Sequence, residues 1–264
     1  MEQVKAVFFD IDGTLVSFKT HSIPESTLRA VSALRQNGVK VYIATGRPLP
    51  FIDNLGELEY DGMITVTGAH CFTRDGHVIY HHPISQDDVN RVIIHHHEMP
   101  AEAYPIIVVT EEGLFVTDYN EDVASIVTLL NLNPPVVKPV EYAGGKQILQ
   151  LISFFKADKE SHFMSELMPG CVSMRWHPLF TDIIAKGVSK SVGIDKVLAY
   201  ENIPLSQAMA FGDGGNDLSM IEHVPYGIAM GNACEELKSI ANYVTSDVDH
   251  DGIANALRHF GLIQ

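Results

Sequence analysis

The sequence predicts an α/β fold: a doubly wound parallel sheet carrying an inserted α+β module. Three observations point to it. Short apolar, β-branched runs alternate with helical patterns toward both ends of the chain. The middle instead shows paired apolar runs separated by turn residues. The runs near both ends stop abruptly at acidic or glycine-rich segments.

Residues 4–9 form an apolar run that ends at Asp10 and read as a buried parallel strand. Leu28, Val31 and Leu34 then share one helical face, and Gly38 marks the stop. Residues 41–45 and 63–67 are two further buried strands. Asp75-Gly76, between residues 71–74 and 77–81, is a hairpin signal. A helix is expected from Ser85, with Asp88 completing a capping box. Residues 105–110 and 114–119 flank Glu111-Glu112-Gly113 as a second hairpin. A further helical stretch, a strand near 147–152, a helix near 158–167 and a strand over 171–177 follow. After about residue 183 the α/β rhythm returns, with strands at 208–212 and 226–231 and helices at 217–223, 234–242 and 252–260. The expected organisation is a Rossmann-like core over 1–82 and 184–264, interrupted by an α+β domain over 83–183.

Composition sets outer limits. Of 264 residues, 46% are apolar and 19% charged, which excludes global disorder. The formal charge of −15 argues against binding nucleic acid or an anionic membrane. Cys71, Cys171 and Cys234 are few, odd in number and far apart, which reads as buried small hydrophobes rather than a disulfide framework or zinc site. Neither a signal-like leader nor a membrane-length apolar run is apparent. The expectation is a cytoplasmic protein, a monomer or weak homo-oligomer.

In open parallel sheets, ligands bind at the carboxyl ends of the strands. Those ends carry Asp10-Ile11-Asp12-Gly13-Thr14, Thr45-Gly46-Arg47 and Gly212-Asp213-Gly214-Gly215-Asn216-Asp217. Asp10, Asp12, Asp213 and Asp217 would gather at one edge, where like charges repel. They coexist most easily around a hard, oxygen-liganded cation, Mg²⁺, with Asp10 and Asp213 as side-chain ligands. Two aspartates two residues apart beside a cation suit phosphoryl chemistry: one attacks phosphorus and the other handles the leaving-group proton. Each motif alone reads as a turn or cap. Their joint occurrence, in this order and each after a buried strand, points to a site.

DIDGT, TGR, a downstream lysine and GDGGND together resemble the motif set of the haloacid dehalogenase-like phosphatases, and the resemblance spans essentially the whole chain. The insertion between TGR and the lysine resembles the C2B-type cap of the Cof-type IIB subfamily. The resemblance implies that Asp10 is the nucleophile and Asp12 the acid and then base, whose backbone carbonyl also touches Mg²⁺. It implies that Thr45, Asn216 and Lys190 hold the phosphoryl group, that Gly46 and Arg47 meet the substrate, and that Asp213 and Asp217 serve the metal. An aspartate at position 12 marks phosphotransferases rather than dehalogenases.

Two positions depart from the family pattern: Thr67 stands where asparagine is frequent, and Ser191 follows the lysine in place of glycine. Lys186 is read as a solvated loop lysine. His95-His96-His97 cannot share one helix face and is not read as a metal site. Gly144-Gly145-Lys146 lacks P-loop spacing. Trp176 is expected to pack in the core of the insertion. The implied substrate is a small organic phosphate enclosed by a cap, with sugar phosphates foremost. A sugar phosphomutase of the same superfamily and a non-catalytic phosphosugar-binding protein are the competing readings.

Overall fold

Alternating residues of the same strands feed two separate apolar layers, so the core strands read as continuous hydrophobic runs. The computed structural model describes residues 3–129 and 132–264. In chain order the first elements are β1 (Ala6–Phe9), α1 (Glu25–Gln36), β2 (Lys40–Ala44), β3 (Gly62–Thr65), β4 (His70–Thr73), β5 (Val78–His81) and α2 (Gln86–Glu98). There follow β6 (Ile106–Thr110), β7 (Gly113–Val116), α3 (Glu121–Leu129), β8 (Val136–Val137), β9 (Ile148–Ser153), α4 (Ala157–Glu166), β10 (Cys171–His177) and β11 (Phe180–Ala185). The chain closes with α5 (Lys190–Glu201), β12 (Ala208–Gly212), α6 (Leu218–His223), β13 (Tyr226–Ala229), α7 (Glu235–Ile240), β14 (Tyr243–Val244) and α8 (Gly252–His259).

These elements form two units. One runs to Pro48, resumes over Ile52–Tyr80 and ends with Ser189–Gln264; the other comprises His81–Val188 with Leu49–Phe51. The first holds the sheet β14-β13-β12-β1-β2-β3-β4-β5. β14 through β3 pair in parallel and β4 pairs antiparallel to β3. Val7 and Phe9 pack with Val31, Leu34 and Leu257 on one face, while Ala6 and Phe8 pack with Ile194, Val197 and Met220 on the other. This two-sided burial is what a doubly wound parallel sheet requires. β1 is flanked by β2 and β12, so the order reverses at β1, and the carboxyl ends of these three strands form the crevice where such folds bind ligands.

β3 stops at Thr65, short of the expected 67, because the chain turns left-handed there: φ is 50° at Val66, 54° at Thr67 and 101° at Gly68. Gly68 is needed in this turn, since a Cβ would lie 2.0 Å from the Ser189 carbonyl oxygen. The Asp75-Gly76 hairpin forms between β4 and β5, with Gly76 at φ 88°. β14 was not anticipated; a two-residue strand has no readable period.

The second unit carries the sheet β10-β11-β9-β6-β7-β8. All its pairs are antiparallel except β7–β8. The expected hairpin at Glu111-Glu112-Gly113 joins β6 to β7. β8 and β11 were not anticipated; Thr181 and Asp182 break the apolar run of β11, and β8 spans two residues. The capping box of α2 is only half made. Ser85 Oγ accepts from the Asp88 N–H at 3.1 Å, but the buried Asp88 carboxylate accepts from the Gly170 N–H at 3.0 Å and pairs with Arg91. Trp176 is 57% exposed rather than packed in the core. β10 is an edge strand, and an irregularity between Met174 and His177 re-aims the side chains there. Cys71 and Cys171 are buried as expected, whereas Cys234, at the start of α7, is exposed.

Candidate active site

Three carboxyl strand ends and one helix start build the site, all within the first unit. Asp10 follows β1 directly and is 4% exposed. Lys190 opens α5, whose N-cap Ser189 accepts from the Val192 N–H at 3.2 Å. Its side chain is wholly buried and its Nζ donates to Asp10 Oδ1 at 2.7 Å and to Asp217 Oδ1 at 2.5 Å. The other Asp217 oxygen accepts from the Asp213 and Gly214 N–H groups at 2.9 and 3.0 Å. Asp217 therefore ties the lysine to the turn after β12, and both of its oxygens carry donors.

The charges leave a clear electrostatic pattern. Burial, then Asp217, push the Asp10 carboxyl well above its ordinary range, only partly offset by Lys190. Burial would lower Lys190, but Asp10 and Asp217 outweigh it and hold the ammonium above its usual value. Burial, then Asp217, push Asp213 up to about 7. Carboxylates packed this way lack positive charge.

The donor set tests what could supply that charge. Asp10, Asp213 and Asp217 each offer an oxygen, and these atoms lie within 4.8 Å of one another. All are hard oxygen donors, and none of the histidines among the described residues joins the group. Gly13, at φ 79°, leaves the room: a Cβ there would stand 2.1 Å from Asp213 Oδ2. A hard divalent cation fits this cradle. Since the oxygens of Asp217 are engaged, Asp10 and Asp213 are the side chains best able to face it.

The second strand end supplies neutral donors. Thr45 is buried, and its Oγ1 accepts from the Arg47 N–H at 3.1 Å, which leaves its own O–H free to donate. Asn216 brings its amide toward this loop, with Nδ2 3.7 Å from where a Gly46 Cβ would stand. The Thr67 hydroxyl is 3.4 Å from the same point. Arg47, expected to face substrate, forks onto Asp12, with Nε 2.8 Å from Oδ2 and the NH2 nitrogen 2.7 Å from Oδ1. Lys186 is exposed, donates to the Pro169 carbonyl at 2.7 Å, and lies in the second unit. Ser191 Oγ sits 2.8 Å from Ser189 Oγ beside the start of α5.

Asn232 was missed. It follows β13, and its Nδ2 donates to the Gly13 carbonyl at 2.8 Å and to Asp213 Oδ2 at 3.3 Å. Its Oδ1 accepts from the Val248 N–H at 2.9 Å. The available signal was Gly231-Asn232 at the end of a core strand, the same position that drew attention to the other motifs.

The chain is similar to known proteins over nearly its whole length. The family of haloacid dehalogenase-like hydrolases matches residues 7–257. The chain is 36% identical over 263 residues to the putative phosphatase YkrA of Bacillus subtilis (strain 168), covering 98% of this chain and 99% of that one. The structure of the phosphatase BT1666 from Bacteroides thetaiotaomicron superposes with a TM-score of 0.87 at 36% identity, covering 99% of this chain and 96% of that one. That of BT4131, described as a subclass IIB sugar phosphatase, superposes with a TM-score of 0.85 at 42% identity, covering 98% and 100%. With the four motifs meeting at one sheet edge, the chain belongs to the haloacid dehalogenase-like hydrolase family and is a phosphatase within it.

Proposed function

We propose that this phosphatase hydrolyses small organic phosphate monoesters, sugar phosphates foremost, with Mg²⁺ as its cation. The observation that carries this reading is the buried Lys190 bridging Asp10 and Asp217 next to the Asp213 carboxylate. The kinship with a protein described as a sugar phosphatase supports the substrate class. Mg²⁺ is assigned to Asp10, the Asp12 backbone carbonyl and Asp213, and supplies charge neutralisation at the phosphoryl oxygens. Asp217 serves that metal site by holding Lys190 and the loop of Asp213 in place.

In the first step an Asp10 oxygen bonds to phosphorus as the bond to the leaving oxygen breaks. Asp12, protonated once Arg47 releases one of its two oxygens, gives that proton to the leaving oxygen and an alcohol departs. In the second step Asp12, now a carboxylate, takes a proton from water, whose oxygen bonds to phosphorus. The bond to Asp10 breaks and inorganic phosphate leaves. Throughout, Thr45 and Asn216 donate to the phosphoryl oxygens and Lys190 offsets their charge. Gly46 and Arg47 border the substrate, with Arg47 reaching it by way of Asp12.

The test is phosphate release from a panel of sugar phosphates with Mg²⁺. Release is expected from wild type and not from Asp10→Asn. No release from any monoester, or undiminished release by Asp10→Asn, would overturn the reading. A mutase would return isomerised sugar phosphate with little free phosphate.

A further inference from the structure

Phe18 stands 61% exposed on a closely held turn of the first unit. Ser17, fully buried, donates from Oγ to Asp249 Oδ1 at 2.6 Å and accepts the Lys19 and Thr20 N–H groups at 3.0 and 3.3 Å. The Ser17 N–H reaches the Ser22 carbonyl at 3.1 Å, and the His21 N–H returns to the Ser17 carbonyl at 2.9 Å. Lys19 Nζ lies 2.7 Å from the other Asp249 oxygen. Asp249 follows Val248, whose N–H donates to Asn232, and Asn232 donates to the Gly13 carbonyl. The turn is therefore tied back to the site it adjoins.

The ring lies at the rim of that site. A Cβ on Gly13 would stand 2.6 Å from Phe18 Cε2 and 2.1 Å from Asp213 Oδ2, so the ring edge and the carboxylate meet over Gly13. A phenyl ring has no hydrogen-bond donor for phosphoryl oxygens and no oxygen for a hard cation. What it offers is flat apolar surface. Gly13 directly follows Asp12, the proposed donor of the leaving-group proton, so the leaving group comes to this side of the site. A ring already fixed by its backbone gives up little freedom in meeting the C–H face of a polyol there.

We propose that Phe18 is a specificity-determining residue, whose ring packs against the carbon skeleton of the leaving group and not against the phosphoryl group. The inference rests on the sugar-phosphate reading given above and adds a residue of the first unit to substrate selection.

The full chain is assayed at saturating Mg²⁺ with glucose 6-phosphate and ribose 5-phosphate, and inorganic phosphate serves as a competitive inhibitor without a carbon skeleton. In Phe18→Ala, kcat/KM for the sugar phosphate that wild type hydrolyses best should fall at least about tenfold. The Ki of inorganic phosphate should stay at the wild-type value. Phe18→Tyr, which keeps the ring, should remain close to wild type in both. Circular dichroism verifies that the variants are folded, as expected for substitutions of an exposed side chain. An unchanged kcat/KM in Phe18→Ala, a Ki that rises as much as kcat/KM falls, or a Phe18→Tyr variant as impaired as Phe18→Ala overturns the inference. If wild type releases phosphate and Phe18→Ala matches it, this inference alone falls. If wild type releases no phosphate from any monoester, the sugar-phosphate reading falls and takes this inference with it.

Discussion

Arg47 grips Asp12 with both arms of its guanidinium, at 2.7 and 2.8 Å, so the two oxygens of the proposed acid and base are fixed in one plane. The pair is about one-third exposed, so its contribution to stability is small. Its consequence is orientation. Arg47→Ala should lower kcat for phosphate release about 10- to 100-fold with the folded state intact. Arg47→Lys should fall almost as far, because an ammonium lacks the fork. Steady-state kinetics separates this from a direct substrate contact: a rise in KM at constant kcat would show that Arg47 mainly binds substrate.

Lys190 is the one fully buried ammonium held between two buried carboxylates among the described residues. Removing one partner of a buried ion pair leaves uncompensated charge. Lys190→Met should therefore destabilise the metal-free protein by about 3–5 kcal/mol in urea unfolding. Adding Asp217→Asn should recover part of that loss, because one carboxylate is then neutral. A double variant no more stable than the single one would contradict the role given to the triad.

Much of this site was legible because its strands are buried on both faces and end suddenly. Phe9 is followed by Asp10 and Gly212 by Asp213, so a switch from apolar to acidic residues marks the sheet edge. Other parts were not. The Asn232 contact with Gly13 joins residues 219 positions apart, and no local pattern encodes it. The Arg47–Asp12 fork depends on how two loops approach, which spacing along the chain does not reveal. Trp176 was misplaced because an edge-strand irregularity, invisible to period-two counting, decides where it points. Thr181 and Asp182 hid β11 for a reason tied to their setting: both are polar residues inside a sheet.

The proposed metal role of Asp213 carries a pH dependence. Its carboxyl is pushed up to about 7 in the folded protein, against an ordinary value of 3.8 when unfolded. Between those values the folded state holds a proton that the unfolded state has lost. Metal-free stability from this group therefore falls as pH rises from about 4 to about 7, and then levels off. A cation binds the ionised form, so its stabilisation grows across the same window. The Mg²⁺-induced rise in Tm should be small at pH 5 and reach its plateau above pH 7. A shift in Tm of equal size at pH 5 and pH 8 would contradict the assignment of Asp213 as a ligand.

Asn232 acts on the same carboxylate. It donates to Asp213 Oδ2 and is itself held by the Val248 N–H, so it orients the carboxylate from outside the proposed coordination sphere. Loss of such a partner typically weakens metal affinity about 10- to 100-fold. Asn232→Ala should show that weakening by calorimetric titration with Mg²⁺, and saturating Mg²⁺ should restore most of the turnover. Unchanged affinity would mean that Asp213 is oriented by its own loop.

The turn after β3 stores strain that a single substitution can report. Thr67 sits at φ 54° and ψ 27°, a left-handed conformation that β-branched residues avoid. Val66 also has a positive φ, 50°, but its side chain is 1% exposed, so glycine there would lose burial while relieving strain and the two effects oppose. Thr67 is only partly buried, which makes it the cleaner probe. Asparagine tolerates the left-handed region, and its amide could reach past the threonine hydroxyl beside Gly46. Thr67→Asn should therefore stabilise the protein by up to about 1 kcal/mol, read as a higher urea midpoint at constant m. A lower midpoint would mean that contacts of the Thr67 methyl or hydroxyl outweigh the backbone term.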